Sequence, residues 1–163
     1  MHQVYLLLGS NKGFRFKNLL LARYFLQQEV GNITQISSIY ETEAWGKSSK
    51  TSYLNQAIAI LTYQTPFQLL RTLQKIEKKL GRTNKHNFAP RTIDIDILFY
   101  DDIILNAKNL IIPHPRLHLR NFTLQPLCEM DKTLIHPVLN ENIDTLTKNC
   151  IDDLKVGIFK SAK

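Results

Sequence analysis

The sequence predicts an α+β fold, an antiparallel sheet in the split βαβ pattern with helices packed on one face. Three observations carry that prediction. Apolar runs and turn residues over the first hundred positions give the order strand, helix, strand, strand, helix, strand. Thr65-Pro66 opens the second helix with a cap residue and a proline at the first helical position. Thr92 to Tyr100 alternates with period two, as a strand with two unlike faces must.

Each element has a local reason. Val4-Tyr5-Leu6-Leu7-Leu8 is a short apolar run stopped by Gly9, suited to a buried strand. Gly9-Ser10-Asn11-Lys12-Gly13 is a turn, and the apolar-rich residues 14–30 after it are long enough for a helix that Gly31-Asn32 closes. The turn lacks the GK[ST] of a P-loop and reads as a plain turn with Ser10 or Asn11 as a helix cap. Residues 33–42 read as one strand. Residues 53–63 make a clearer one, with Leu54, Ile58 and Ile60 on one face. Leu69, Leu73, Ile76 and Leu80 form the core stripe of the second helix, and Gly81 stops it. Within residues 92–100, Ile93, Ile95, Ile97 and Phe99 share the core face. Beyond Asp101 come a turn, an extended piece ending at Pro113, a helix over residues 122–130 and small elements.

At 163 residues, with 44% hydrophobic and 21% charged residues, the chain has ordinary globular composition and one domain's length. We expect a single domain over 1–163, with a core of about 1–130 and a C-terminal extension over 131–163. No apolar stretch approaches the ~20 residues of a membrane span, and Val4 to Leu8 is too short for a signal peptide. Cys128 and Cys150 lie in no metal-ligand or CxxC spacing, so we read them as idle thiols in a reducing cytoplasm. A net charge of +7 favours anionic partners without choosing among nucleotides, nucleic acid and acidic lipid.

Asp94 and Asp96 share one strand face, roughly 6.5–7 Å apart along the chain. Two carboxylates so placed can hold a pair of Mg²⁺ ions that also bind phosphate oxygens, or they can be the polar face of a solvated strand. Context favours the first reading: seven Lys or Arg residues and one acid, Glu77, lie from Arg71 to Arg91. Arg82 and Arg91 could fork onto phosphates, whereas Lys75, Lys78 and Lys79 read as solvated charge. Glu77 falls inside an apolar helix stripe, where it either lines a pocket with Gln74 or pairs internally with an arginine. His114, held between two prolines, is a phosphate-contact candidate; zinc binding with His118 is disfavoured because Pro115 breaks the helical spacing. Tyr53 and Asn55 on one strand face, with Trp45 and Phe88 from loops, suit a flat heterocycle, although Tyr53 serves equally well as core.

These pieces, over about residues 4–130, resemble the 6-hydroxymethyl-7,8-dihydropterin pyrophosphokinase family. The resemblance rests on Gly9-Ser10-Asn11, Ser38 to Thr42, Tyr53-Leu54-Asn55, Glu77 with Gly81-Arg82, Ala89 to Ile97, Pro113-His114-Pro115-Arg116, and Arg120 with Phe122 to Leu127. It implies a ferredoxin-like fold and transfer of the β,γ-pyrophosphoryl group of ATP to the hydroxymethyl group of 6-hydroxymethyl-7,8-dihydropterin, with release of AMP. By position, Asp94 and Asp96 fall where the family holds two Mg²⁺ ions. Thr42, Ala44, Trp45, Tyr53, Asn55 and Phe122 fall where it holds the pterin. Gln74, Glu77, Arg82, Arg91, Ile97, His114 and Arg120 fall where it holds or acts on ATP, with Arg82, Arg91, Asp94 and Asp96 as the catalytic set.

The resemblance further implies a cytoplasmic monomer in folate biosynthesis that binds neither nucleic acid nor membrane and hands its product to dihydropteroate synthase. Asn84 and Asn109 stand where family members often carry arginine, Phe88 where tryptophan is frequent, and Glu43-Ala44-Trp45 where prolines are common. The polar segments 43–52 and 81–91 are placed to close over the site. An RNA-binding module is the leading rival on such a scaffold, yet no RNP-type aromatic pattern is present and bare Asp94 and Asp96 would repel phosphates. A catalytically dead nucleotide sensor is the second rival, and the retained aspartate pair with Arg82 and Arg91 argues against it.

Overall fold

The fold is seen in a computed structural model that describes residues 1–42, 52–82 and 91–160. The first strand, β1 (His2–Ser10), is followed by helix α1 (Arg15–Glu29) and strands β2 (Gly31–Ile36), β3 (Tyr40–Thr42) and β4 (Tyr53–Thr62). Helix α2 (Pro66–Lys79) then leads to β5 (Asp94–Tyr100). The main sheet runs β3-β4-β1-β5, with every pairing antiparallel and β2 also on β4. This is the predicted α+β class.

Residues 33–42 do not form one strand. The Ser37 hydroxyl accepts the Ala57 N–H at 3.0 Å while Ser37 N donates to Ala57 O, so a side chain takes over a ladder bond. The strand breaks there, β2 pairing with the far half of β4 and β3 with the near half.

Helices α1 and α2 lie on the predicted face. Leu19, Ala22, Leu26, Leu69, Leu73 and Ile76 are buried there against alternate residues of β1, β4 and β5, including the expected Leu54, Ile58, Ile60, Ile93, Ile95 and Ile97. Phe99 does not join them. A register shift puts Leu6 opposite Ile97 and Tyr5 opposite Phe99, and the extra Leu98 turns Phe99 to the opposite face.

That opposite face is covered by the later part of the chain. After the hairpin β6 (Leu105–Ala107) and β7 (Leu110–Ile112), a 3₁₀ turn (Leu117–Leu119) leads into α3 (Asn121–Met130). The small strands β8 (Ile135–His136) and β9 (Glu141–Asn142), helix α4 (Ile143–Asn149) and strand β10 (Val156–Ile158) complete it. Leu124, Leu127, Ile143 and Leu146 pack on Tyr5, Leu7, Ala57 and Ala59, and β10 extends the sheet by pairing with β3. Among the described residues helices therefore lie on both faces, α1 and α2 on one and α3 and α4 on the other. This differs from the single covered face that the sequence predicts, because the later part of the chain has its own apolar residues to bury.

The start of α2 follows the sequence: Thr65 N donates to Gln68 Oε1 at 2.9 Å, and Pro66 is the first helical residue. At its end Gly81 adopts φ +84°, a conformation costly for other residues, and Arg82 N donates back to Glu77 O at 3.0 Å. The α1 start departs from expectation. Phe14 precedes the helix without a side-chain cap bond, because Ser10 and Asn11 are engaged elsewhere.

Gly31 is set by space rather than by turn chemistry. A Cβ there would stand 2.0 Å from Leu61 O across the β2–β4 pair, whereas one on Gly157 meets nothing within 4 Å. We expect Gly31→Ala to lose about 1–3 kcal/mol in urea denaturation. Gly157→Ala should stay within about 0.5 kcal/mol of the parent.

Candidate active site

The parity of β5 sets the first part of the site. Its isoleucines go to the helix-packed core, so Asp94 and Asp96 emerge on the other face, half-buried. Asp94 is opposite Gly9 on β1, and Gly9 is in turn opposite Asn55 on β4. Asp94 and Asn55 thus sit in one cross-sheet row, two strands and about 10 Å apart. Gly9 leaves the space between them open: a Cβ there would lie 3.3 Å from Asn55 Oδ1.

Asp94 is the centre of an ionic chain. Arg82 Nη1 lies 2.6 Å from Asp94 Oδ1 and also bonds Glu77 Oε1, while Arg91 bonds Asp94 Oδ2. Glu77 is buried, with 6% of its surface exposed, and Ile95 N donates to Glu77 Oε1 at 2.9 Å. Burial pushes the Glu77 carboxyl above the usual range, against the pull of Arg82 and the Ile95 N–H. Of the two readings of Glu77, the internal pair with an arginine is the one found, at the flank of the aspartates. Gln74, one turn back, is exposed.

Asp96 differs from Asp94. Its carboxylate has no hydrogen-bond or ion-pair partner among the described residues. Burial and the neighbouring Asp94 charge push it above the usual carboxylate value, while Arg120, Arg91 and Arg82 oppose that shift. A partly buried oxygen pair without a partner, next to a second carboxylate, is suited to a hard cation. The residues therefore fit Mg²⁺.

The turn after β1 positions Arg91. Asn11 N donates to Arg91 O at 3.1 Å and Arg91 N donates to Asn11 Oδ1 at 2.7 Å. Ser10 Oγ and Asn18 Nδ2 both donate to Thr92 O. Neither Ser10 nor Asn11 caps α1 as the sequence predicts of one of them, and Asn18 joins them as a site-supporting residue that no local pattern marks. The available signal is a pair of polar residues, Ser10 and Asn11, at the end of an apolar strand.

On the β4 side, Asn55 is buried and donates from Nδ2 to Thr42 Oγ1 at 3.0 Å. Tyr53, two residues earlier, shares its strand face and is half-buried. Phe122, in the first turn of α3, carries the Arg120 guanidinium 5.4 Å from its ring centre. Ile97 belongs to the core, so only its backbone is available to a ligand. His114 follows a cis Ile112–Pro113 bond; His114 N donates to Leu98 O at 2.9 Å, and Arg116 N donates to His114 Nδ1 at 3.2 Å. Asn109 is exposed in the turn between β6 and β7. Ala44, Trp45, Asn84 and Phe88, with most of segments 43–52 and 81–91, lie outside the described residues.

One face of the sheet thus gathers a carboxylate–arginine cluster and, across a glycine gap, an amide with aromatic neighbours. The first suits a cation with polyphosphate and the second a flat polar heterocycle. Comparison with known proteins identifies the family. Residues 5–132 match the family model described as 7,8-dihydro-6-hydroxymethylpterin-pyrophosphokinase (HPPK). The 2-amino-4-hydroxy-6-hydroxymethyldihydropteridine pyrophosphokinase of Aquifex aeolicus is 41% identical over 138 residues, 85% of this chain and 86% of that one. The enzyme of the same name from Bacillus subtilis is 42% identical over 127 residues, 77% and 76% of the two chains. The crystal structure of Plasmodium falciparum HPPK-DHPS superposes with a TM-score of 0.72 at 16% identity, which speaks for the fold. It covers 90% of this chain and 44% of that longer one.

His114 gives the site a pH signature. Burial lowers its pKa from the ordinary 6.5 to about 4, and the charges of Arg120 and Arg116 add to the effect. Native His114 is neutral in that window while the unfolded chain takes up a proton, so stability falls as pH drops from 6.5 towards 4. Urea denaturation of the parent and His114→Gln at about pH 7 and pH 5 should show the parent losing on the order of 1 kcal/mol more than the variant.

Proposed function

The chain belongs to the 7,8-dihydro-6-hydroxymethylpterin-pyrophosphokinase family, and from that premise we propose how its residues divide the work. It is an ATP-dependent pyrophosphokinase of folate biosynthesis. It transfers pyrophosphate from ATP to the hydroxymethyl group of 6-hydroxymethyl-7,8-dihydropterin and releases AMP. A bond forms from the hydroxymethyl oxygen to the β-phosphorus of ATP as the bond to the α,β-bridging oxygen breaks.

In our reading Asp94 and Asp96 would hold Mg²⁺, as two ions. When bound, such ions neutralise phosphate charge and bring nucleophile and leaving group into line. The observation that carries the reading is Asp96, a half-buried carboxylate without a partner among the described residues, beside an Asp94 already held by two arginines. Arg82 and Arg91 hold Asp94 between them and present their remaining donors to phosphate, following the charge that builds on the leaving oxygen. Glu77, itself held by the Ile95 N–H, keeps Arg82 at that post. Neutral His114, Arg120, Gln74 and the Ile97 backbone complete the nucleotide side.

Asn55, with Thr42, Tyr53 and Phe122, takes the pterin: the amide reads the ring edge while the aromatic groups pack on it. Ala44 and Trp45 belong to the same reading. A cytoplasmic location belongs to the same reading and is supported by the role in folate biosynthesis. Among the described residues no helix is long and apolar enough to cross a membrane. The hand-over to dihydropteroate synthase is supported by relatives that are longer than this chain. The folic acid synthesis protein fol1 of Pneumocystis carinii is 38% identical over 153 residues, which are 93% of this chain and 21% of that protein.

Two variants separate the halves. Asn55→Ala should weaken pterin binding by about 1–3 kcal/mol in calorimetry, with binding of a non-hydrolysable ATP analogue little changed. Arg82→Ala should slow single-turnover transfer by about 10²–10³-fold. Exposed Lys78→Ala is the control and should be silent. Equal losses on both ligands for Asn55→Ala, or Arg82→Ala as silent as Lys78→Ala, would overturn these assignments.

A further inference from the structure

We propose that Asp152 is a positioning residue for the transfer step, clamping Asn121 between the nucleotide-side Arg120 and the pterin-side Phe122. The proposal rests on the roles given above to those two residues.

Helix α3 begins without a cap of its own. Its N-cap is Arg120, in extended conformation at φ −134° and ψ 113°, with no side-chain cap bond. An arginine side chain has no acceptor, and the first N–H groups of a helix require one. The acceptor arrives from 31 residues downstream: Asn121 N donates to Asp152 Oδ2 at 2.9 Å. Asn121 Nδ2 also donates to Asp152 O at 2.5 Å, and Leu154 N donates to Asp152 Oδ1 at 3.2 Å. Both carboxylate oxygens are engaged, so the group is fixed in orientation as well as in place.

The segment that carries Asp152 is itself anchored to the pterin side of the sheet. Val156 pairs with Thr42 and Ile158 with Tyr40, and Phe159 N donates to Ile39 O at 2.8 Å. Asp152 therefore ties the start of α3, by way of β10, to the strand that ends at Thr42. On the other side of Asn121, the Arg120 guanidinium stacks on Phe122, and Arg120 interacts electrostatically with Asp96, Asp152 and Asp94. One pinned backbone residue thus sets two side chains that address different substrates.

Each substrate alone has other contacts, so loss of the clamp should cost little in either affinity. Transfer requires the hydroxymethyl oxygen and the β-phosphorus in register at the same moment. A misplacement of ~1 Å can cost about 10²-fold in rate.

The test uses the full chain, with Asp152→Ala, Asp152→Asn and Phe122→Ala compared in single-turnover transfer, calorimetric binding of the pterin and of an ATP analogue, and thermal unfolding. Asp152→Ala should slow transfer at least about tenfold while both dissociation constants stay within about threefold. Asp152→Asn keeps an oxygen acceptor for the Asn121 N–H and should restore most of the rate. A rate for Asp152→Ala within about twofold of the parent overturns the clamp, as does an Asn variant as slow as the Ala variant. A deficit that merely tracks the unfolded fraction overturns it too. Phe122→Ala separates the premise from the proposal: undiminished pterin binding there removes the pterin role of Phe122. A pterin-defective Phe122→Ala beside an unimpaired Asp152→Ala removes the clamp alone.

Discussion

The pairing of β5 with β1 is the constraint on which the rest of the site depends. Strand parity sends Ile93, Ile95 and Ile97 into the core under α1 and α2, and so obliges Asp94 and Asp96 to emerge opposite. The same register puts Gly9 beside Asp94 and, through β4, Asn55 beyond Gly9. A slip of one residue would bury two carboxylates among leucines and empty the site at once. Fold and chemistry are therefore bound by one set of backbone hydrogen bonds, and the hydrophobic effect enforces the position of the acids.

Around that strand the charges are arranged as a relay rather than as isolated pairs. Gly81 turns the chain at the end of α2 so that Arg82 reaches both Glu77 and Asp94. The turn after β1 fixes Arg91 through Asn11. Among the described residues two arginines bond Asp94 and none bonds Asp96, so the two acids are chemically unlike: one is ion-paired, and the other is pushed up by burial and by its neighbour's charge. A cation with phosphate would complete an arrangement that the protein alone leaves unbalanced.

Much of this was legible in the sequence because it is local. The period-two alternation from Thr92, the Thr65-Pro66 start of α2, and Glu77 inside an apolar stripe each betray themselves within a few residues. The parts that were not legible depend on distant partners. Ser37 breaks a strand only because Ala57 lies opposite, and Asn11 is drawn from capping α1 by Arg91, 80 residues away. Phe99 changes face through an extra residue in one strand, which alternation within β5 cannot reveal. Asp152 looks like any acid in a tail until the fold brings it to Asn121. The covering of the second face by α3 and α4 was missed for the same reason, since short late elements carry little periodic signal.

The central claim is that Asp96 is open for a metal that arrives with nucleotide. Titrating Mn²⁺ as a spin-active substitute for Mg²⁺, with a non-hydrolysable ATP analogue present, tests it without turnover. The parent should take up Mn²⁺ in a nucleotide-dependent manner. Asp96→Asn should lose most of that uptake while unfolding at a temperature no lower than the parent, since this carboxylate makes no bond to the described residues and its charge is disfavoured by burial. Undiminished Mn²⁺ binding by Asp96→Asn would contradict the account.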